Sequence, residues 1–284
     1  MNPLNSQRTN RIAITSLWVS AVFIIMILVY IILYVFLRGL PAMSLDFLFG
    51  GASNYWLEGG IFPAMVGTLL LAATALSFAI PIGVGSAIYL SEFTKEGKVT
   101  KLIRTGADSL NAVPSIVFGL FGLTLFLFYL KMKACLLVAG LTLGFMILPT
   151  IMRTAEVAIR TVPGSDKEGS YALGATKLQT IRRVVLPSAL PGIVTGVILG
   201  FGRAVGETAP IIWLVSFWPP SIPTTLLEPA NALTVIMYFL ILEAQNPLFI
   251  QRAFGIALVL LLMILISNYV TRTLNAYLTR NIRR

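Results

Sequence analysis

The chain has 284 residues, 57% of them hydrophobic and 11% charged, with 21 Lys and Arg against 11 Asp and Glu, no histidine and one cysteine. A mean hydropathy of +0.88 excludes an ordinary soluble domain and predicts a polytopic, all-α membrane protein. Without histidine the commonest metal ligand and the usual general base are gone, and the lone Cys135 allows neither an internal disulfide nor a thiolate metal cluster within one chain.

Six stretches have the roughly 20 residues a spanning helix needs: 14–37, 64–89, 112–130, 134–152, 191–214 and 253–271. The first is too long for a signal-peptide core, and Leu40-Pro41-Ala42-Met43-Ser44 is a poor cleavage site, so it reads as a retained helix behind a short tail, 1–13. Between the second and third spans, 93–111 mixes Lys and Arg with Val99, Leu102, Ile103, Ala107 and Leu110, the pattern of a helix lying on lipid headgroups. Only Lys131 to Lys133 separate the third and fourth spans, which predicts an antiparallel hairpin; Cys135, just beyond, reads as packing.

After the fourth span, Ser165-Asp166-Lys167-Glu168 has capping-box spacing. The expected helix runs from Asp166 toward Leu173, with Gly174 taking the left-handed conformation that ends it. Thr176 caps a second short helix, and Pro187 is expected to stop that one before the membrane. A helix-turn-helix of this kind, 165–187, suits docking into a partner's groove or serves as a surface connector.

The fifth span holds Arg203 and Glu207 between uncharged runs at 188–202 and 208–227. At 100° per residue Gly192, Gly196, Gly200, Arg203 and Glu207 share one narrow stripe, and a helix starting near Pro191 carries Arg203 about 18 Å along, near the middle of a core of about 30 Å. Ionisable residues there mark a substrate pathway or form a structural i,i+4 ion pair. The outer loop 216–252 opens on Trp218-Pro219-Pro220 and contains the uncharged run 229–242, too short to span and expected to be interfacial or re-entrant.

With the N-terminus inside, the cytoplasmic segments hold 16 of the 21 basic residues, whereas Arg38, Lys131, Lys133 and Arg252 lie outside. Both termini are therefore predicted to be cytoplasmic, and topology accounts for the pI of 10.0 better than nucleic-acid binding does. A seventh span would break this rule.

Glu168-Gly169-Ser170, Gly174, Val184 and Leu186-Pro187 keep the spacing of the EAA loop of permease subunits in bacterial ABC importers, which the segment resembles, with Gly169-Ser170 at the usual Ala-Ala and Val184 at the usual Ile. The resemblance implies a type I importer (MetI-like) fold: one permease domain over 14–284, its core about 64–272, in the bacterial inner membrane, with the loop as ATPase-coupling helix. The stretches 59–63, 113–119, 148–156, 168–176 and 202–210 are in turn similar to the PstA family of phosphate permeases. That likeness implies phosphate passage past Arg203, Glu207 and Arg153, and coupling through Glu168, Gly169, Ser170, Gly174, Leu186 and Pro187. It also implies a PstC-like second permease, a PstB-like ATPase using ATP and Mg, and a PstS-like phosphate-binding protein.

Chemistry supports part of this independently. A guanidinium fork fits phosphate oxygens, and a carboxylate such as Glu207, which only accepts hydrogen bonds, can accept one from the O–H that monohydrogen phosphate carries and sulfate lacks. Arg153, after Pro149 at the inner end of the fourth span, is either an exit-side contact or a side chain snorkelling to the headgroups. The Gly97-Lys98 pair is followed by Val99, and Glu92 stands where a phosphate loop needs glycine, so there is no Walker A motif and no catalytic role in ATP hydrolysis. Permeation of another oxyanion (sulfate, molybdate) and a stand-alone secondary anion transporter remain as alternatives. An intramembrane enzyme lacks a convincing nucleophile, base or metal set.

Overall fold

The computed structural model describes residues 3–243 and 247–282. Helix α1 (Pro3–Gly39) is exposed along its apolar length and meets the rest near its end, where Tyr34 packs on Phe254 at 5.6 Å. An outer segment follows, with α2 (Leu45–Phe49) and the antiparallel strands β1 (Ala52–Ser53) and β2 (Glu58–Gly59). Trp56, fully buried, donates its indole N–H to the Phe217 carbonyl at 2.7 Å, and Arg252 Nη2 donates to the Gly59 carbonyl at 2.7 Å, so this cap is pinned to two later segments.

Then come α3 (Phe62–Ile88), which continues through a wide turn to Phe93, α4 (Lys98–Ala112), α5 (Ser115–Gly122), also widened at its end to Tyr129, and α6 (Leu136–Arg160). The remainder is α7 (Gly164–Ala172), α8 (Lys177–Thr180), α9 (Leu186–Gly206), α10 (Leu233–Leu242) and α11 (Pro247–Ile282). Among the described residues five helices are long and apolar enough to cross a membrane, and a sixth span arises if α4 and α5, bent by 97°, act together.

The hub is α6, two thirds of whose most apolar stretch is buried, against a third or less in every other span. Its Gly140 and Gly144 lie against Thr74 and Phe78 of α3, where an added Cβ would come within 2.5 and 2.8 Å, the close approach that small-residue interfaces permit between membrane helices. On another side Gly192, Gly196 and Gly200 of α9 meet Ala158, Thr154 and Ile151 in antiparallel register. The predicted glycine stripe is therefore an internal seam.

Several expected boundaries move, each for a local reason. The fourth span does not end at Met152; α6 runs through Pro149 to Arg160. Pro187 does not stop a helix: it sits in the first turn of α9, and the wide turn Ile181–Val185 before it accommodates the missing N–H, so the chain is helical from Lys177 to Gly206. The fifth span ends at Gly206 rather than Leu214, because Pro210 cannot continue a helix and restricts Ala209 before it. Ser165 caps nothing: Pro163 starts α7 two residues earlier and puts Ser165 inside the first turn. The other half of that reading stands, since Gly174 has φ +81° and Thr176 forms a capping box with Gln179.

The run 229–242 packs into the bundle against the first turns of α3. Asn231 packs on Gly67, Leu233 N–H donates to Thr68 Oγ1 at 3.0 Å, and α10 then leads back toward the outer start of α11. Asn231 is fully buried but satisfied, accepting from Ser221 N–H and donating to the Ser216 carbonyl. Single cysteines at Ser53 and Ser221 should react with an impermeant thiol reagent from outside and one at Leu173 only from the cytoplasm; the reverse pattern would overturn the orientation.

Candidate functional site

Arg203 lies in the last turn of α9, where a cation also favours the helix's negative end. The next turn never forms. Glu207 adopts φ −81° and ψ 140°, so the pair spans a helix terminus instead of riding one helical face. Arg203 Nε donates to Glu207 Oε1 at 3.3 Å, and the side chains are 30% and 18% exposed. Among the described residues the Nη1 and Nη2 atoms of Arg203 have no partner, so the outer edge of the guanidinium is free. Gly202 and Gly206, on either side of Arg203 in sequence, lie on faces of α9 where an added Cβ would meet nothing within 4 Å.

The terminus is fixed from the other side by α10. Thr234 Oγ1 donates to the Glu207 carbonyl at 2.7 Å, one residue after Leu233 bonds Thr68. Thr68 is about 9 Å along α3 from Phe62, in a helix about 48 Å long to Phe93. The pair therefore sits toward the outer end, not midway as the count from Pro191 suggested. Irregular backbone at such depth survives only where protein or a polar cavity satisfies it, and 207–232 meets that condition through Asn231, Thr68 and Thr234. Thr68, Asn231 and Thr234 escaped the sequence reading, although Asn231 is the one amide in an apolar run.

Arg153 is not brought to this pair. It flanks Thr154, which packs on Gly196, about 10 Å of helix rise inward of Arg203. Neither is it snorkelling freely: Nε donates to Asp108 at 2.8 Å and Nη1 to Glu156 at 2.6 Å. Glu156, 1% exposed, also accepts Arg104 at 2.6 Å, which straps α4 to α6, and forms an ion pair with Arg160 at 3.3 Å. Removing it should be costly. Glu156→Ala would leave Arg104, Arg153 and Arg160 only the more exposed Glu96 and Asp108 as partners and is expected to destabilise the chain by about 1–3 kcal/mol, read as a lowered melting temperature in detergent.

Exposed Glu96 completes the cluster by accepting Arg104 at 2.8 Å and pairing with Arg160; these two hydrogen bonds hold its carboxyl at about 2 instead of 4.5. A depressed carboxylate contributes above its ordinary value and stops contributing as pH falls through the lowered one. Hydrogen exchange of 94–97 should thus be flat from pH 8 to 5, after correction for intrinsic rates, and protection should be lost only below about 4.5.

The predicted coupling residues form a protruding helix-turn-helix. Glu168 and Gly169 are exposed on α7, and Ser170 and Thr180 share a hydrogen bond at 2.9 Å that joins the two arms. Gly174 makes the turn, while Leu186 and Pro187 lie at the base in α9. Tyr171, Leu173 and Leu178 present apolar surface, with Leu173 90% exposed.

Residues 79–284 match the family described as the binding-protein-dependent transport system inner membrane component. The chain is 30% identical to the probable ABC transporter permease protein YqgI of Bacillus subtilis, over 98% of this chain and 99% of that one. It is 32% identical to the phosphate transport system permease protein PstA 1 of Mycobacterium tuberculosis, over 99% and 92%. Its fold matches a bacterial alginate ABC transporter structure with TM-score 0.65 over 94% of this chain and 96% of that one, and the methionine transporter MetNI with 0.59 over 77% and 94%, each at 18% identity. The chain belongs to the inner membrane permease components of binding-protein-dependent ABC importers, and ATP hydrolysis is the task of a partner subunit.

Proposed function

We propose that the substrate is inorganic phosphate and that Arg203 and Glu207 contact it on its route. The observation that carries this reading is the Nη1 and Nη2 edge of Arg203, which has no partner among the described residues and is held beside a carboxylate at a broken helix end. That edge offers two parallel N–H donors to phosphate oxygens, and Glu207 accepts a hydrogen bond from the remaining phosphate O–H. A fully structural lock would instead commit the fork to the carboxylate. The PstA relatives favour the same substrate. Arg153 enters as an exit-side contact only when Asp108 releases its Nε.

Transport then requires a PstC-like second permease to close the open side of α9, a PstB-like ATPase on the 165–187 loop and a PstS-like donor at the outer end. ATP-driven closure of the ATPases moves the loops and opens the route outward; hydrolysis resets it. The test is ATP-dependent uptake of labelled phosphate and sulfate by the reconstituted complex. Phosphate uptake that sulfate does not inhibit is expected, and equal uptake of both would overturn the assignment.

A further inference from the structure

At the inner end of the molecule a second ion pair is not used by the phosphate route. Glu92, in the widened last turn of α3, accepts Lys167 Nζ at 2.5 Å, and both side chains are mostly buried. Lys167 is in the middle of α7, the first arm of the protruding loop. The second arm reaches the same place, since Lys177 at the start of α8 lies over the Phe93 ring at 4.6 Å. Four residues beyond Glu92, Glu96 is held by Arg160, the last residue of α6. The inner end of α3 is thus gripped by both arms of the loop and by the helix that leads into it.

The other end of α3 carries Thr68, which bonds Leu233, whose neighbour Thr234 bonds Glu207. We infer that Glu92 and Lys167 form a strut that carries displacement of the loop into α3, and so to the helix terminus at Glu207. The inference rests on the coupling role proposed for 165–187. Both are positioning residues: neither touches substrate or nucleotide. An exposed ion pair would yield under load, but this one is shielded from solvent and salt, and the ring contact beside it resists rotation.

The experiment uses the full reconstituted complex and measures phosphate taken up per ATP hydrolysed. Glu92→Gln should keep hydrolysis and lower that ratio about fivefold or more, the size of an ordinary coupling term, and the reversed pair Glu92→Lys with Lys167→Glu should restore it. Spin labels at Tyr89 and Ser165, both exposed, should keep a constant separation through the ATP cycle when the pair is intact. An unchanged ratio in Glu92→Gln, a reversed pair that stays uncoupled, or a label distance that changes with the pair intact each overturns the strut. If Glu92→Gln fails to assemble, the label distance decides alone. Failure of the coupling reading itself looks different: a Gly174 variant with a broken turn would then transport normally.

Discussion

Arg203→Lys should lower phosphate uptake about tenfold or more in a complex that still assembles. Lysine keeps the charge but has no planar fork, and losing one charge-assisted hydrogen bond at a desolvated site costs about 1.5–3 kcal/mol, a factor of ten or more. The geometry sharpens this expectation, because Glu207 occupies Nε and leaves the Nη edge free. A purely structural pair predicts another pattern: Arg203→Ala or Glu207→Ala strands a partly buried charge and impairs assembly, and removing both restores it. The double alanine variant, scored separately for assembly and uptake, therefore decides. Normal uptake in a well-assembled double variant removes both residues from the route, whereas assembly without uptake keeps them on it.

Gly174→Glu should uncouple ATP hydrolysis from uptake, with a loss of about tenfold or more. At φ +81° a side chain costs about 1–2 kcal/mol of backbone strain, and the turn between α7 and α8 relieves it by opening. An added Cβ at Gly174 meets nothing within 4 Å, so no steric clash confuses the result. Gly174→Asn is the control, since asparagine tolerates the left-handed region, and it should retain most coupling. If Gly174→Glu transports normally with unchanged ATPase stimulation, the loop is only a connector.

What the sequence determined about this protein is what depends on local chemistry. Composition made it a membrane protein, and runs of apolar residues located its spans. Gly174 and Thr176 announced their turn and cap because a left-handed glycine and a threonine that accepts the N–H of the residue three positions on act within a few residues. The charges at 203 and 207 were conspicuous for the same reason: a polar interruption of an apolar run is visible without a fold.

Tertiary structure decided where those features sit and what they touch. Pro210 already forbids a regular helix to Leu214, but how the irregular backbone beyond Gly206 is held turned on Thr234 donating to the Glu207 carbonyl and Thr68 receiving the Leu233 N–H, and these come from segments far away in sequence. Arg153 read as either a snorkelling side chain or an exit contact; its bond to Glu156 is local to α6, but its commitment to Asp108, 45 residues away, depends on α4 folding back on α6. Glu92 and Lys167, 75 residues apart, carried no signal at all. Apolar periodicity specifies that a helix crosses the bilayer, but lipid is as apolar as a neighbouring helix, so only the packing of glycine seams and the pairing of distant charges fix depth, register and partner.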